Sequence, residues 1–202
     1  MPADSSETRR AILDAAEAQF SELGFAGASM SAIAEVGGVS KALLHHHFGS
    51  KEGLWHAVKE RRFGEFWAEQ SQLAHGPLDG VWFASSLKAY FSYLQVNPAF
   101  VRLMTWNFME PQAQEQRHDQ GPLQLAEATR RVRECQKAGF LRDDVDPFHV
   151  VVMFFCLVVH WHEAKALYLA LRGRPAKSIK KEDALYLQDM LMVFLRGLAI
   201  EP

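Results

Sequence analysis

Apolar and polar positions recur at helical spacing along the chain. Ile12, Leu13, Ala16, Phe20 and Leu23 form one apolar stripe, and Gly24 is placed to terminate it. Ser29 suits the cap of a short second helix holding Ile33 and Ala34, which stops at Gly37-Gly38. Ser40 suits the cap of a third, "KALLHHHF", ended by Gly49, and Ser50 that of a long fourth opening "KEGLWHAVKERRFGEFWAEQ". After His75-Gly76-Pro77 the expected helices lengthen. One crosses "LDGVWFASSLKAYFSYLQ" to Asn97-Pro98, and a shorter one crosses "AFVRLMTWNFM" and stops before Pro111. Another runs roughly from Gln116 to Ala138, a long one from Asp146-Pro147 to about Leu171, and a last from about Glu182 to Leu198. The basic stretch between the last two, "RGRPAKSIKKED", reads as a solvated connector. No segment alternates as hairpin strands do, so the expected fold is all-α.

Composition narrows the partners only a little. The 202 residues carry a formal charge of −2, so a nucleic-acid surface has to be a local patch. Cys135 lies in a polar stretch and Cys156 in an apolar one, which reads as two reduced thiols of a cytoplasmic protein. The N-terminus has no signal-peptide core. The longest apolar run, Val150 to Val159, has ten residues, short of the roughly 20 that span a bilayer. A buried helix of a soluble protein is expected there.

The second and third helices are short, and "GGVS" separates them, which is the dimension of a helix-turn-helix. Ala34 is small enough for a close crossing, and Gly38 tolerates the positive φ of the turn. Ile33, Val39, Leu44 and Phe48 then share a core with the first helix. Lys41, Ala42, His45 and His46 face outward, with His47 near the helix end. Lys51, in the first turn of the fourth helix, opposes the macrodipole unless an anion sits there. From Lys41 to Arg62, five cations against Glu52 and Glu60 leave a net +3 within an acidic chain.

These residues carry a resemblance. "F…LGF" closing the first helix, "IAEVGGVSKALL" through the helix-turn-helix and "FGSKEGL" opening the fourth together resemble the tetracycline-repressor (TetR) family of bacterial regulators, over about residues 8 to 60. "GFLRDDVDP" resembles the entry to that family's penultimate helix. The resemblance implies an N-terminal three-helix helix-turn-helix domain, residues 1–50, running into a connecting helix. A C-terminal helical ligand-binding and dimerisation domain, residues 51–202, would follow. It makes Ser29, Lys41, His47 and Lys51 candidates for phosphate contact, with Ser40 beside them, and puts Ala42, Leu43, His45 and His46 nearest the base edges. The family's usual tyrosine-histidine-tyrosine run is "HHHF" here, and Leu43 stands where threonine is common. Histidine keeps a planar ring with a donor, and Leu43 can touch a thymine methyl.

The three consecutive histidines make a poor metal site, because successive residues on a helix point about 100° apart. "HWHE", His160 to Glu163, offers one i, i+3 pair without a third ligand. A metal-sensing regulator or metalloprotein is therefore the weaker alternative, and no cofactor is expected. There is no phosphate-cradling glycine loop, nucleophile elbow or "HExxH", so no catalytic residue is expected either.

For the C-terminal part, the resemblance implies a homodimer through the last two helices on a palindromic double-stranded operator. Leu185, Leu191, Met192, Leu195 and Leu198 of the last helix, and Val151, Phe155, Val158 and Val159 of the one before it, are the candidates for that surface. It also implies a pocket for a small apolar or amphipathic effector whose entry releases DNA. Trp67, Phe91, Met104, Trp106, Phe108, Met153 and Trp161 are candidate lining residues, although such stripes are more often plain core. His149, Met153, Cys156 and His160 fall near one helix face, either as handles inside a pocket or flanking the bundle.

Overall fold

The computed structural model describes residues 5–73, 80–109 and 121–198. Within them the chain forms α1 (Ser5–Gly27), α2 (Met30–Val36), α3 (Lys41–Phe48), α4 (Lys51–Leu73) and α5 (Gly80–Val96). Then come α6 (Pro98–Met109), α7 (Gly121–Lys137), α8 (Pro147–Leu171) and α9 (Ile179–Leu198), the last preceded by a 3₁₀ turn at Ala176–Ser178. The all-α expectation holds. Gly24 is a kink rather than a stop: at φ 70°, ψ −179° it breaks α1, which takes one more turn to Gly27. The expected start of α7 near Gln116 lies outside the described residues.

One expectation needs correction. The connector "RGRPAKSIKKED" is not solvated throughout: Ile179 to Asp183 belong to α9, and although Lys180 and Lys181 are exposed, Glu182 is buried and Asp183 is 1% exposed. α8 runs as expected beyond the ten-residue apolar run, through His160, His162, Glu163 and Lys165 to Leu171. By length and composition, with mean hydropathy 1.5 over its best window, it is apolar enough to cross a bilayer.

The chain divides into two compact units. The first holds residues 5–65 with 99–109 and has one apolar core. Ile12, Ala16 and Phe20 of α1, Ile33 of α2, Leu44 of α3 and Leu54, Trp55 and Val58 of α4 are almost wholly buried there, with Leu103 of α6. Phe20 meets Trp55 edge-on at 5.0 Å between ring centroids, a favourable aromatic arrangement.

The second unit holds residues 66–98 and 121–198. α7 packs on α8, and α5 packs on both α8 and α9. A run of rings links α4, α5, α8 and α9: Phe66 to Tyr90 at 5.4 Å, Tyr90 to Phe154 at 5.6 Å, Phe154 to Phe194 at 5.8 Å. A buried polar knot joins three of these helices. Asp183 of α9 accepts from Lys165 at 2.9 Å, from the Trp161 indole at 2.8 Å and from Gln95 of α5 at 3.1 Å. A buried carboxylate needs such a full set of donors.

Candidate DNA interface and effector cavity

The helix-turn-helix is assembled by local chemistry. The Ser29 hydroxyl accepts from the Ala32 N–H at 3.1 Å, and the Ser40 hydroxyl accepts from the Leu43 N–H at 3.1 Å, so each opens its helix. Between them, Gly38 at φ +64° closes α2: Val39 N–H donates to Ala34 and Gly38 N–H to Glu35, the paired bonds of a Schellman turn. α3 then buries Leu44 completely and leaves Lys41, Ala42, Leu43, His45 and His46 exposed, with His47 half-buried. Leu43 is 37% exposed, unusual for a leucine that has a core beside it, and presents an apolar surface outward.

Gly53 carries a constraint that the sequence did not announce. A Cβ there would lie 2.2 Å from the Phe48 carbonyl oxygen, so the first turn of α4 can seat against the end of α3 only with glycine. The His45 ring secures the same junction, with Nδ1 2.8 Å from the Gly49 carbonyl. Its other nitrogen therefore remains for an outside partner.

The charges divide differently from the sequence count. Arg61 holds Asp14 at 2.6 Å and Glu17 at 2.7 Å, and Arg62 holds Glu17 at 3.1 Å and Glu65 at 2.5 Å. Lys59 is 6% exposed and donates to Asn107 at 3.2 Å. Three of the five cations behind the net +3 thus fasten the unit together, and the expected basic patch shrinks to Lys41 and Lys51. Lys51 has a local partner as well, because its ammonium donates to the Ala26 carbonyl at 3.3 Å and lies 4.6 Å from the Phe25 ring centroid. The negative end of α1 thereby offsets the unfavourable dipole of α4. Sequence reasoning missed Arg9, an exposed α1 residue whose guanidinium stands 5.4 Å over the Phe48 ring beside the end of α3. Its only sequence signal is the paired arginine at Arg9-Arg10.

The second unit contains a cavity of about 460 Å³, within the range of small-molecule sites. Aromatic and aliphatic side chains of α4, α5, α7, α8 and α9 make most of its wall, among them Trp67, Trp82, Tyr90, Val151, Phe155 and Phe194. Gln70, Ser86, Gln124, Glu127, Arg130 and Arg131 supply its polar positions. Burial pushes the Tyr90 phenol far up, so it stays neutral. Arg130 is held by Glu127 and Glu134, and Arg131 lies 4.1 Å over Trp82.

Of the sequence candidates for the pocket, Trp67 borders this cavity. Phe91 and Trp161 pack elsewhere in the same unit, on His162 at 4.6 Å and Tyr186 at 4.0 Å. Met104 is buried in the first unit, where Trp106 also donates to the Ser21 carbonyl at 3.3 Å. Phe108 is 67% exposed. His149, Met153, Cys156 and His160 share an exposed stripe of α8, the flanking alternative, because the cavity takes the opposite face through Val150, Val151 and Phe154. His160 meets the Tyr168 hydroxyl at 2.7 Å and lies 3.9 Å from Glu163; among the described residues no three metal-ligating side chains converge.

Two capped helices at a Schellman turn, with an exposed face on the second, form a helix-turn-helix. The family model for bacterial regulatory proteins of the tetR family matches residues 12–58, and that for the tetracyclin repressor-like C-terminal domain matches residues 87–185. The chain belongs to the TetR family and is a DNA-binding transcription regulator, not an enzyme. Regulators of this family bind operator DNA and small-molecule effectors and act as dimers. The match gives no support to a metal-sensing alternative.

The chain is 29% identical to the transcriptional regulator UidR of Escherichia coli K12 over 156 residues, 72% of this chain and 75% of that protein. Over 43 residues, 21% of this chain and 20% of the other, it is 60% identical to the regulatory protein RaaS of Mycobacterium tuberculosis. Its fold resembles that of the ketosteroid transcriptional regulator KstR2 of Mycobacterium tuberculosis, with a TM-score of 0.70 at 18% identity, covering 98% of this chain and 97% of that one.

Proposed function

We propose that the chain is a cytoplasmic repressor that binds a palindromic operator as a homodimer and leaves it when a small apolar or amphipathic molecule enters the cavity of the second unit. The division of labour falls near residue 50: residues 1–50, running into the connecting helix that Lys51 opens, read DNA, and effector and partner are held by the helices of the second unit. Ala42, Leu43, His45 and His46 meet base edges in the major groove. Ser29, Ser40, Lys41, His47 and Lys51 meet phosphates, joined by Arg9. The observation that carries this reading is the exposed α3 face of Lys41, Ala42, Leu43, His45 and His46 set over a fully buried Leu44.

α8 and α9 pair with their mates across the two-fold axis. The surface for this overlaps the sequence candidates only in part, since Val151, Val158, Leu191 and Leu198 are buried within their own unit. What remains exposed is Met153, Leu157 and Leu167 of α8 with Leu185, Met192 and Val193 of α9. An apolar area of that kind calls for cover by a partner. α4 is continuous from Lys51, beside the reader, to Trp67 and Gln70 on the cavity wall, so it is the natural carrier of an effector's signal.

Binding to DNA fragments from around the chain's own gene, across a salt series, tests the reading. For roughly eight neutralised phosphates, log K falls against log salt with a slope of about −7. Lys41→Ala and Arg9→Ala each shorten that slope by about 2 in a dimer, at unchanged sequence preference. If no fragment is preferred over random DNA even at low salt, the reading fails.

A further inference from the structure

Two donors that α4 places on the cavity wall have no acceptor among the described residues. The Trp67 indole N–H and the Gln70 side-chain N–H are both buried, and among the described residues neither has a hydrogen-bond partner. They are three residues apart on α4 and therefore lie on one helix face. An indole nitrogen can only donate, so the need at Trp67 is for an oxygen and nothing else. Other tryptophans show how this chain ordinarily meets the requirement: Trp106 donates to the Ser21 carbonyl and Trp161 to Asp183. Trp55 also lacks an acceptor, but its ring is packed edge-on to Phe20 inside the first core. Leaving such a donor dry is costly, and the rest of the adjoining wall is mainly aromatic and aliphatic.

Resting on the effector reading above, we propose the effector's chemistry: a compact, largely apolar ring body carrying one acceptor oxygen, as carbonyl or carboxylate, that takes the N–H groups of Trp67 and Gln70. The cavity has room for about fifteen water-sized groups, the scale of a two-ring molecule. Its charged lining residues are Glu127, Arg130 and Arg131, and Arg130 is already engaged by Glu127 and Glu134. The other cation on the wall is Arg131, spread over the Trp82 ring. That charge admits an ionised carboxylate without requiring one. The proposal explains why a wall built from rings has an amide and an indole turned to the same side.

Three probes of one shape test it: 2-acetylnaphthalene, 2-naphthoate and 2-ethylnaphthalene, titrated into the full-length protein by calorimetry. At least one oxygen-bearing probe should bind about tenfold or more tighter than the hydrocarbon, because the site rejects a molecule that leaves its donors unpaired. Trp67→Phe keeps an aromatic ring, though a smaller one, and removes the N–H, and should abolish that preference while leaving hydrocarbon binding in place. Gln70→Leu should weaken it in part, and thermal melts of both variants check that they fold. Naphthoate bound tighter than the ketone, with the excess lost in Arg131→Gln, identifies a carboxylate; parity identifies a neutral carbonyl.

Equal binding of all three probes, binding of none, or a preference that survives Trp67→Phe overturns the proposal. Operator release is read separately in each titration. Oxygen-selective binding without release would sustain the site's chemistry and sink the effector reading. Release by all three probes alike would do the opposite.

Discussion

The α2–α3 pair and the α8–α9 pair are each two helices joined by a short segment, yet they are specified in different ways. In α2–α3 every boundary is set by a residue within five positions of the group it satisfies: Ser29 on Ala32, Ser40 on Leu43, and Gly38 permitting the Ala34–Val39 bond. In α8–α9 the deciding residue is Asp183, whose partners are Lys165, Trp161 and, 88 positions away, Gln95. Local bonds can be read from a string of residues. A carboxylate in "KKED" looks like any solvated acid until the fold surrounds it.

The largest expected effect sharpens this contrast. Asp183→Ala leaves the Lys165 charge and two N–H donors without their acceptor in an apolar setting. It should destabilise the second unit by about 3–5 kcal/mol in urea unfolding followed by tryptophan fluorescence. Adding Lys165→Met should recover much of the loss, because the stranded charge is then gone. A loss under about 1 kcal/mol would mean that Asp183 is solvated after all and that both helix pairs are locally specified.

A smaller effect tests the local side. Gly53→Ala drives a methyl into the Phe48 carbonyl and should cost about 1–3 kcal/mol, with operator affinity falling alongside. Gly64→Ala on the same helix meets nothing within 4 Å and should be neutral or stabilising by about 0.5–1 kcal/mol. Thermal melts of the two variants, differing in sign, would separate a packing glycine from a dispensable one. The same sign for both would remove Gly53 from the reader's construction.

The smallest effect concerns pH. His162 is pulled down to about 4, first by burial and then by the Lys165 cation beside it. The unfolded chain therefore takes up this proton first. The neutral ring's contribution is fully present above pH about 6.5 and is lost as pH falls toward about 4. The melting temperature should drop more between pH 7 and pH 4.5 in the parent than in His162→Gln. Equal drops would show that His162 titrates as it does in the unfolded chain.

The sequence by itself determined the helices, their caps, the turn and the outward face of α3, because each rests on interactions spanning a few residues. "SMSAIAEVGGVSKALLHHH" contains both serine caps and the glycine the turn needs, so the reader and its exposed Lys41, Ala42, His45 and His46 were legible. Only the tertiary structure decided which cations face outward, since Arg61 and Arg62 meet Asp14 and Glu17 across more than forty positions. It alone separated Trp67 on the cavity wall from Trp106, Trp161 and Phe91, which share the same aromatic character along the chain but differ in what packs against them. Helical periodicity tells that a face is apolar. Whether that face meets core, cavity or a second copy depends on which distant helix reaches it first.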